Sequence, residues 1–282
     1  MRCTGTHHIH KRPYTSRAMF ITSLIAFLPA ATTAPLAAPA LLQPLDSSIV
    51  SLVAQDEAMT DPQWTGSVSL SAISTTGNTE TESFNFDSNA VLRREIDRFT
   101  WKAFLNYGTD SGSGASVLTQ RKMGTSLQYD HFVNEAETTY VYGNSGVEYD
   151  ALADLDMRLT IGAGMGYQFY EEDKFKLSGE AGLTSVTEDF EGAPSDDYLS
   201  LRLAGNLYKQ FDDNLILTQG AEVLPSLQES ADINASLDTK LNLSLSESMF
   251  TSFQWVLDYD NTPSGSKDRV DNRFILSLGW SF

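Results

Sequence analysis

Thiol and imidazole groups are almost absent from this 282-residue chain. Its single cysteine is Cys3, and of its four histidines only His131 lies beyond the first ten residues. A disulfide framework and a Cys/His transition-metal site are therefore excluded from nearly the whole chain. Positive charge is scarce too. Nineteen Lys and Arg face 37 Asp and Glu, for a net charge of −18, and nucleic-acid binding needs the opposite balance. Beyond the N-terminal segment no run of 18 apolar residues occurs, which excludes a helical membrane protein. Proline is missing between Pro62 and Pro194, as expected where a long stretch forms sheet ladders.

The N-terminus reads as an export signal. "MRCTGTHHIHKRPYTSR" is basic and free of acids, and the apolar stretch "AMFITSLIAFLPAA" over residues 18–31 follows it. That stretch is too short to span a bilayer but suits a signal-peptide core. Ala38-Pro39-Ala40 offers a small-x-small cleavage site before Leu41, Ala34 offers another, and Met19 is an alternative start. Residues 1–40 are thus expected to be a signal peptide. Their removal takes away four basic residues and no acid, moving the charge from −18 to −22. No cysteine stands at the cleavage site, so a lipoprotein is not expected. Residues 41–63 form a periplasmic linker, or a short amphipathic helix through Leu42, Leu45, Ile49 and Leu52.

From Trp64 to Phe282 the chain alternates with a period of two, the signature of strands. Twelve are predicted: 64–74, 83–94, 99–109, 117–132, 137–149, 157–171, 174–188, 198–210, 215–225, 234–245, 250–259 and 269–282. In "LSLRLAGNLY" Leu199, Leu201, Leu203 and Leu207 oppose Ser200, Arg202, Ala204 and Asn206. Longer connections such as "EDFEGAPSDD" and "NTPSGSKD" tend to alternate with short ones such as "EIDR" and "EED". A sandwich has no reason to gather its long loops on one side. An outer-membrane barrel has short periplasmic turns and longer extracellular loops. The expected fold is all-β, a closed antiparallel transmembrane barrel of 12 strands.

The apolar parity is expected to face lipid. It carries all four tryptophans, Trp64, Trp101, Trp255 and Trp280. Aromatics on this parity gather towards both strand ends, as membrane interfaces select. Gln219 breaks the pattern, and a local bulge would explain it. The other parity carries Arg93, Lys102, Lys122, Arg158, Lys176, Arg202, Lys240 and Arg273. With them go Asp87, Asp130, Glu148, Glu180, Glu222, Asp238, Asp258 and Asp271. Unpaired charges are ruinous in an apolar core, whereas a hydrated lumen accepts them. Eight bases against eight acids favour cross-lumen pairing and a narrow or occluded bore.

The final strand "RFILSLGWSF" places Phe274, Leu276, Leu278, Trp280 and Phe282 on the lipid parity. It is expected to close the barrel on its first strand, leaving no edge. Its pattern resembles the signal by which bacterial barrels are recognised for insertion. Expected partners are therefore outer-membrane lipid and lipopolysaccharide, the barrel-assembly machinery and periplasmic chaperones.

"SAISTTGNTETESFNFDSNAVLRREIDRFTWKAFLNYG", with its Gly77-Asn78-Thr79 turn, its "RREIDRFTW" and the terminal "GWSF", resembles the salt-induced outer-membrane protein family, whose function is unknown. The resemblance implies a barrel over about residues 64–282 in the outer membrane of a Gram-negative bacterium. It implies no catalytic residues and raises a link to salt or osmotic stress.

Catalytic alternatives find little support in the residues. Twelve-stranded barrels include a phospholipase with a Ser-His-Asn site on the outer wall, but His131 falls at the short-turn end. A protease built on His and Asp pairs fails on the same residue. The acidic stretches "EDFEGAPSDD", "YDALADLDM" and "LDYDN" offer oxygen ligands for calcium or magnesium but lack the spacing of a D-x-D-x-D-G loop, so a solvated acidic surface is expected. Asn234-Ala-Ser and Asn242-Leu-Ser match a glycosylation pattern within predicted strands. No cofactor or metal is expected. The reading is a non-enzymatic barrel, either a narrow pore or an envelope structural protein. The alternatives are an outer-membrane enzyme acting on lipid or peptide, and a secreted β-sandwich.

Overall fold

The computed structural model describes residues 62–76, 80–111, 115–229, 232–263 and 267–282. The expected signal segment and its candidate cleavage sites, residues 41–61 and the Gly77-Asn78-Thr79 turn lie outside the described residues. Twelve strands run in order: β1 Gln63–Thr75, β2 Thr81–Arg93, β3 Asp97–Asp110, β4 Val117–Phe132, β5 Thr139–Asp150, β6 Leu155–Glu172, β7 Phe175–Phe190, β8 Asp196–Gln210, β9 Leu215–Pro225, β10 Ile233–Ser244, β11 Met249–Asp260 and β12 Val270–Ser281. Each pairs antiparallel with its neighbours in sequence, and β12 pairs with β1 to close the barrel. The secreted sandwich is thereby ruled out.

The period of two sorts residues cleanly between the two faces. Leu203, Leu241, Phe274 and Leu276 are exposed on the outer wall, while Arg202, Lys240, Ile275 and Ser277 beside them are buried. Leu201 pairs with the exposed Leu183 and shares its outward side. Phe274 stacks between Phe253 and Trp255 at centroid distances of 6.2 and 6.3 Å.

Some strand limits move, for local reasons. β5 starts at Thr139 rather than 137, because Glu137 takes φ 51° in a turn. There the Asn134 Oδ1 accepts the Thr138 and Thr139 N–H groups at 3.1 and 2.9 Å. β3 starts earlier, at Asp97, whose carbonyl accepts the Arg94 N–H at 2.9 Å and closes a tight turn. β6 is the longest strand at 18 residues and bulges between Gln168 and Tyr170. The extra residue leaves both Phe169 and Tyr170 exposed, the local break in alternation that a bulge causes.

Gln219 needs no bulge. The ladders run through it in step, Leu207↔Gln219 and Gln219↔Thr239. Its amide instead donates to Thr239 Oγ1 at 3.1 Å along the outer wall. Trp101 does likewise, donating to Thr125 Oγ1 at 2.9 Å. Both outward-facing groups are thus satisfied laterally along the wall.

The seam between β1 and β12 is short, from Ser67↔Ser281 to Leu70↔Leu278. Phe282 extends it. Its carbonyl accepts the Gly66 N–H at 2.8 Å, and its own N–H reaches the Gly66 carbonyl at 3.0 Å.

Candidate functional site

Inward parity brings the charged residues of distant strands into one lumen, where they pair. At the long-loop end Lys122 on β4 lies 3.0 Å from Asp258 on β11, 3.2 Å from Glu148 and 3.8 Å from Asp150. β4 and β11 stand five strands apart around a ring of twelve, so the Lys122–Asp258 pair crosses the bore. Arg273 holds the same Asp258 at 2.8 Å. Arg158 joins Glu148 at 3.4 Å to Glu188 at 2.5 Å.

A second network runs from the middle of the lumen to the short-turn end. Arg202 on β8 bridges Glu180 on β7 and Glu222 on β9, each at 2.6 Å. Glu180 also accepts the Tyr140 hydroxyl at 2.8 Å and the Gln128 amide at 2.9 Å. Gln128 donates on to Asp130 at 2.9 Å, and Asp130 accepts Arg98 Nε at 2.6 Å. Arg93 pairs with Glu137, its guanidinium 4.0 Å from the centre of the Phe132 ring. Lys176 pairs with Glu171 at 3.2 Å. Asp238 accepts the Gln254 amide at 2.9 Å, and Lys240 is buried nearby in the wall.

Sequence parity alone missed two parts of this arrangement. Arg98 lies one residue before the predicted third strand, and extending that strand's parity by one would have found it. The inward aromatics were also missed. Phe132, Tyr140, Tyr142, Tyr198, Tyr208 and Phe250 are all buried. Tyr140 lies over Gly166, where a Cβ would stand 2.1 Å from its ring. The ring therefore occupies the space that any other residue on β6 would fill.

Cavities remain between these networks, two of which border the charged residues. The larger, about 460 Å³, lies among the long loops and the upper wall, bordered by Leu152, Pro263 and Lys267. Seven carboxylates line it against four cations. The smaller, about 250 Å³, lies lower among β1–β3 and β8–β11. Phe104, Glu222 and Ser236 border both.

The remaining candidates take no part in these networks. His131 pairs with Asp97 and Val141 in the wall at the short-turn end. Among the described residues no three carboxylate, imidazole or thiol groups gather as a metal site would require. Phe274, Leu276, Leu278, Trp280 and Phe282 all stand on the exposed outer side of β12 or just after it.

Residues 68–282 match the family described as "Protein of unknown function, DUF481". The chain belongs to the DUF481 family. No curated protein matches this DUF481 protein by sequence. Among solved structures it is similar to the NanC porin, with 6% identity, TM-score 0.47, and coverage of 77% of this chain and 98% of that one. An outer-membrane channel from Pseudomonas putida F1 gives 12% identity, TM-score 0.45, and coverage of 82% and 99%. The translocator domain of the autotransporter NalP from Neisseria meningitidis gives 12%, 0.43, 80% and 90%. No property of those proteins transfers to the DUF481 barrel on likenesses this distant.

Proposed function

We propose that this chain is a non-enzymatic β-barrel of a Gram-negative outer membrane, with a hydrated lumen that passes at most small ions or solutes. The observation that carries the reading is the Lys122–Asp258 pair across the bore. Eight-stranded barrels are filled by side chains and those of 16 to 18 strands hold an aqueous channel; twelve strands bridged by ion pairs fall between. The exposed apolar wall and laterally satisfied polar atoms support a lipid surround. Export through a cleaved signal peptide at residues 1–40 belongs to the same reading. So do contacts with lipopolysaccharide, chaperones and the assembly machinery, the last through Phe274 to Phe282.

Planar-bilayer recording of the purified barrel is the test. Small, brief conductances with little ion selectivity are expected, because bases and acids pair within the lumen. Large, stable, strongly selective conductance would overturn the reading in favour of an open porin. Complete silence from a folded barrel would leave an envelope structural role, which the dense Arg202–Glu180 network also supports. A salt-linked role would rest on the acidic upper cavity, whose attraction for cations salt screens. Transcript and protein levels across a salt series test that link, and a flat response would remove it.

A further inference from the structure

The seam that closes the barrel is zipped over its lower part only. β12 meets β1 in four ladder pairs, Ser67↔Ser281 to Leu70↔Leu278, whereas the next shortest ladder, β8 with β9, has eight. Neither strand ends there. β1 runs on to Thr75 against β2, and β12 begins at Val270 against β11. Continued in step, the register would set Ser71 opposite Ser277, Ile73 opposite Ile275 and Thr75 opposite Arg273. Among the described residues none of these pairs forms. The wall therefore carries a slit with a free backbone edge on each side.

The slit lies at the level of the upper aromatic belt. Phe84 stands opposite Ala72 on one side, and Trp255 opposite Phe274 on the other. Such belts mark a membrane interface. Free N–H and C=O groups at membrane depth are tolerated only where they line a water-filled space. Water must therefore reach these edges from the lumen, where the buried Ser71 and Ser277 flank the foot of the slit. The outer lips are apolar and unequal. Phe274 and Leu276 on β12 are 67% and 65% exposed, the highest values among the large apolar residues described. The matching positions on β1, Ala72 and Ser74, are small. Ile73 and Ile275 continue the inward parity of the two serines, which carries an apolar lining into the lumen. A wet slit between apolar lips suits a molecule with a polar head and one apolar chain.

The inner end sets the charge of that head. The larger cavity reaches this side of the barrel through Arg269 and Asp271, at the start of β12. Leu152, Leu155, Phe190 and Leu224 line it beside its seven carboxylates and four cations. Apolar walls hold a chain, and the acidic excess favours a cation over an anion. We propose that the upper half of the β1–β12 seam is a lateral port, through which a single-chain amphiphile with a cationic head passes between the lipid and the upper cavity. The port rests on the lipid-surrounded barrel proposed above and not on ion conductance.

The test uses the full barrel carrying Cys3→Ser, folded into phosphatidylcholine vesicles with doxyl-labelled acyl chains. Each variant is checked for folding by its heat-modifiable gel shift. A bimane fluorophore is attached through Ile73→Cys in the slit, Leu203→Cys on the outer wall, or Thr160→Cys in the cavity lining on β6. Strong quenching is expected at the Leu203 position, about half as much at the Ile73 position because lipid chains enter the slit, and almost none at the Thr160 position. Quenching at the Leu203 position with no excess at Ile73 over Thr160 would overturn the port and leave the membrane barrel standing. No quenching at the Leu203 position would overturn both. Dodecylamine bearing a diazirine is then photolysed with the barrel, and it is expected to label the cavity lining about tenfold more than the matching carboxylic acid does. A disulfide between Ile73→Cys and Ile275→Cys draws the two edges to ladder spacing, and it is expected to cut that labelling about fivefold while labelling of the outer wall is unchanged. Cavity labelling that survives the lock would show entry through the loops and refute the port, and equal labelling by the acid would refute the cationic head.

Discussion

The two ends of the lumen carry the same charge chemistry in different surroundings. At the short-turn end the Glu180 side chain is 3% exposed and Asp130 is fully buried, among tyrosines and a phenylalanine. At the long-loop end Asp258 and Glu148 are 27% and 25% exposed and border the larger cavity. Partners are redundant there. Asp258 keeps Arg273 if Lys122 is lost, and Glu148 keeps Arg158. Below, the loss of Arg202 would leave Glu180 hydrogen-bonded to the neutral donors Tyr140 and Gln128. One end is built to be rigid, and the other can exchange its pairs for water.

That difference is broken most severely by Arg202→Ala. It strands a buried carboxylate, and breaking a buried pair from one side costs about 3–5 kcal/mol. Urea unfolding in lipid vesicles is expected to show a loss of that size. A loss below about 1 kcal/mol would mean that water reaches Glu180 freely and that the lower end is no more rigid than the upper.

Gly166→Val attacks the aromatic layer of the same end. Its Cβ would stand 2.1 Å from the Tyr140 ring, so the ring must leave its place. Overpacking of this kind costs about 1–3 kcal/mol. The displaced hydroxyl also leaves Glu180, and the double variant Gly166→Val with Tyr140→Leu is expected to recover part of the loss. No recovery would show that the strain lies in the backbone.

The twelve strands were legible in the sequence because alternation, turn residues and the absence of proline all speak locally. The lumen charges were legible for the same reason, since parity alone puts Arg202 and Glu222 on one side. What parity cannot supply is register. Parity with the inward Glu148 puts Tyr140 in the lumen, but nothing near it in sequence says that the residue opposite it on β6 is Gly166. The pairing of Lys122 with Asp258 was hidden too, because it depends on how the ring closes. Gln219 was misread as a bulge because its lateral partner, Thr239, sits on the next strand.

Removal of Phe282 tests the closing seam below the lower network. It deletes both hydrogen bonds to Gly66 from the short β1–β12 ladder. Less folded barrel is expected in the outer membrane. Refolding of the purified chain in detergent separates the causes. A normal refolding yield would assign the loss to recognition by the assembly machinery, and a reduced one to the seam itself. Unchanged yield in both settings would remove any role for the terminal residue.

Lys122→Ala probes the upper end, and a modest stability loss of about 1 kcal/mol is expected because its partners retain other cations. Its larger effect is on the bore. With the bridge to Asp258 gone, small-ion conductance in planar bilayers is expected to rise several-fold relative to the unaltered barrel, and to favour cations because a positive charge has been removed. Asp258→Asn is expected to raise conductance less, since Lys122 keeps Glu148 and Asp150. Equal conductance in all three proteins would place the constriction in the lower network instead.

The smallest effect is expected outside the barrel wall, at Asp232 just before β10. Burial raises its pKa, the Thr262 hydroxyl that donates to it at 3.1 Å works the other way, and the neighbouring Asp260, Asp196 and Glu229 add to the rise. A carboxyl whose folded pKa is raised binds its proton more tightly in the native state. Its contribution to stability is therefore complete below the ordinary carboxylate value of about 4 and declines as pH rises through the raised one. Asp232→Asn removes the titration and keeps an oxygen for Thr262. It is expected to stabilise the barrel at neutral pH by less than about 1 kcal/mol, because water screens a group this exposed, and to leave it unchanged at acid pH. Urea unfolding of both proteins across the pH range reads the difference. A gain that grew towards acid pH would reverse the sign and show that Asp232 is held as a carboxylate, by a cation at the acidic mouth.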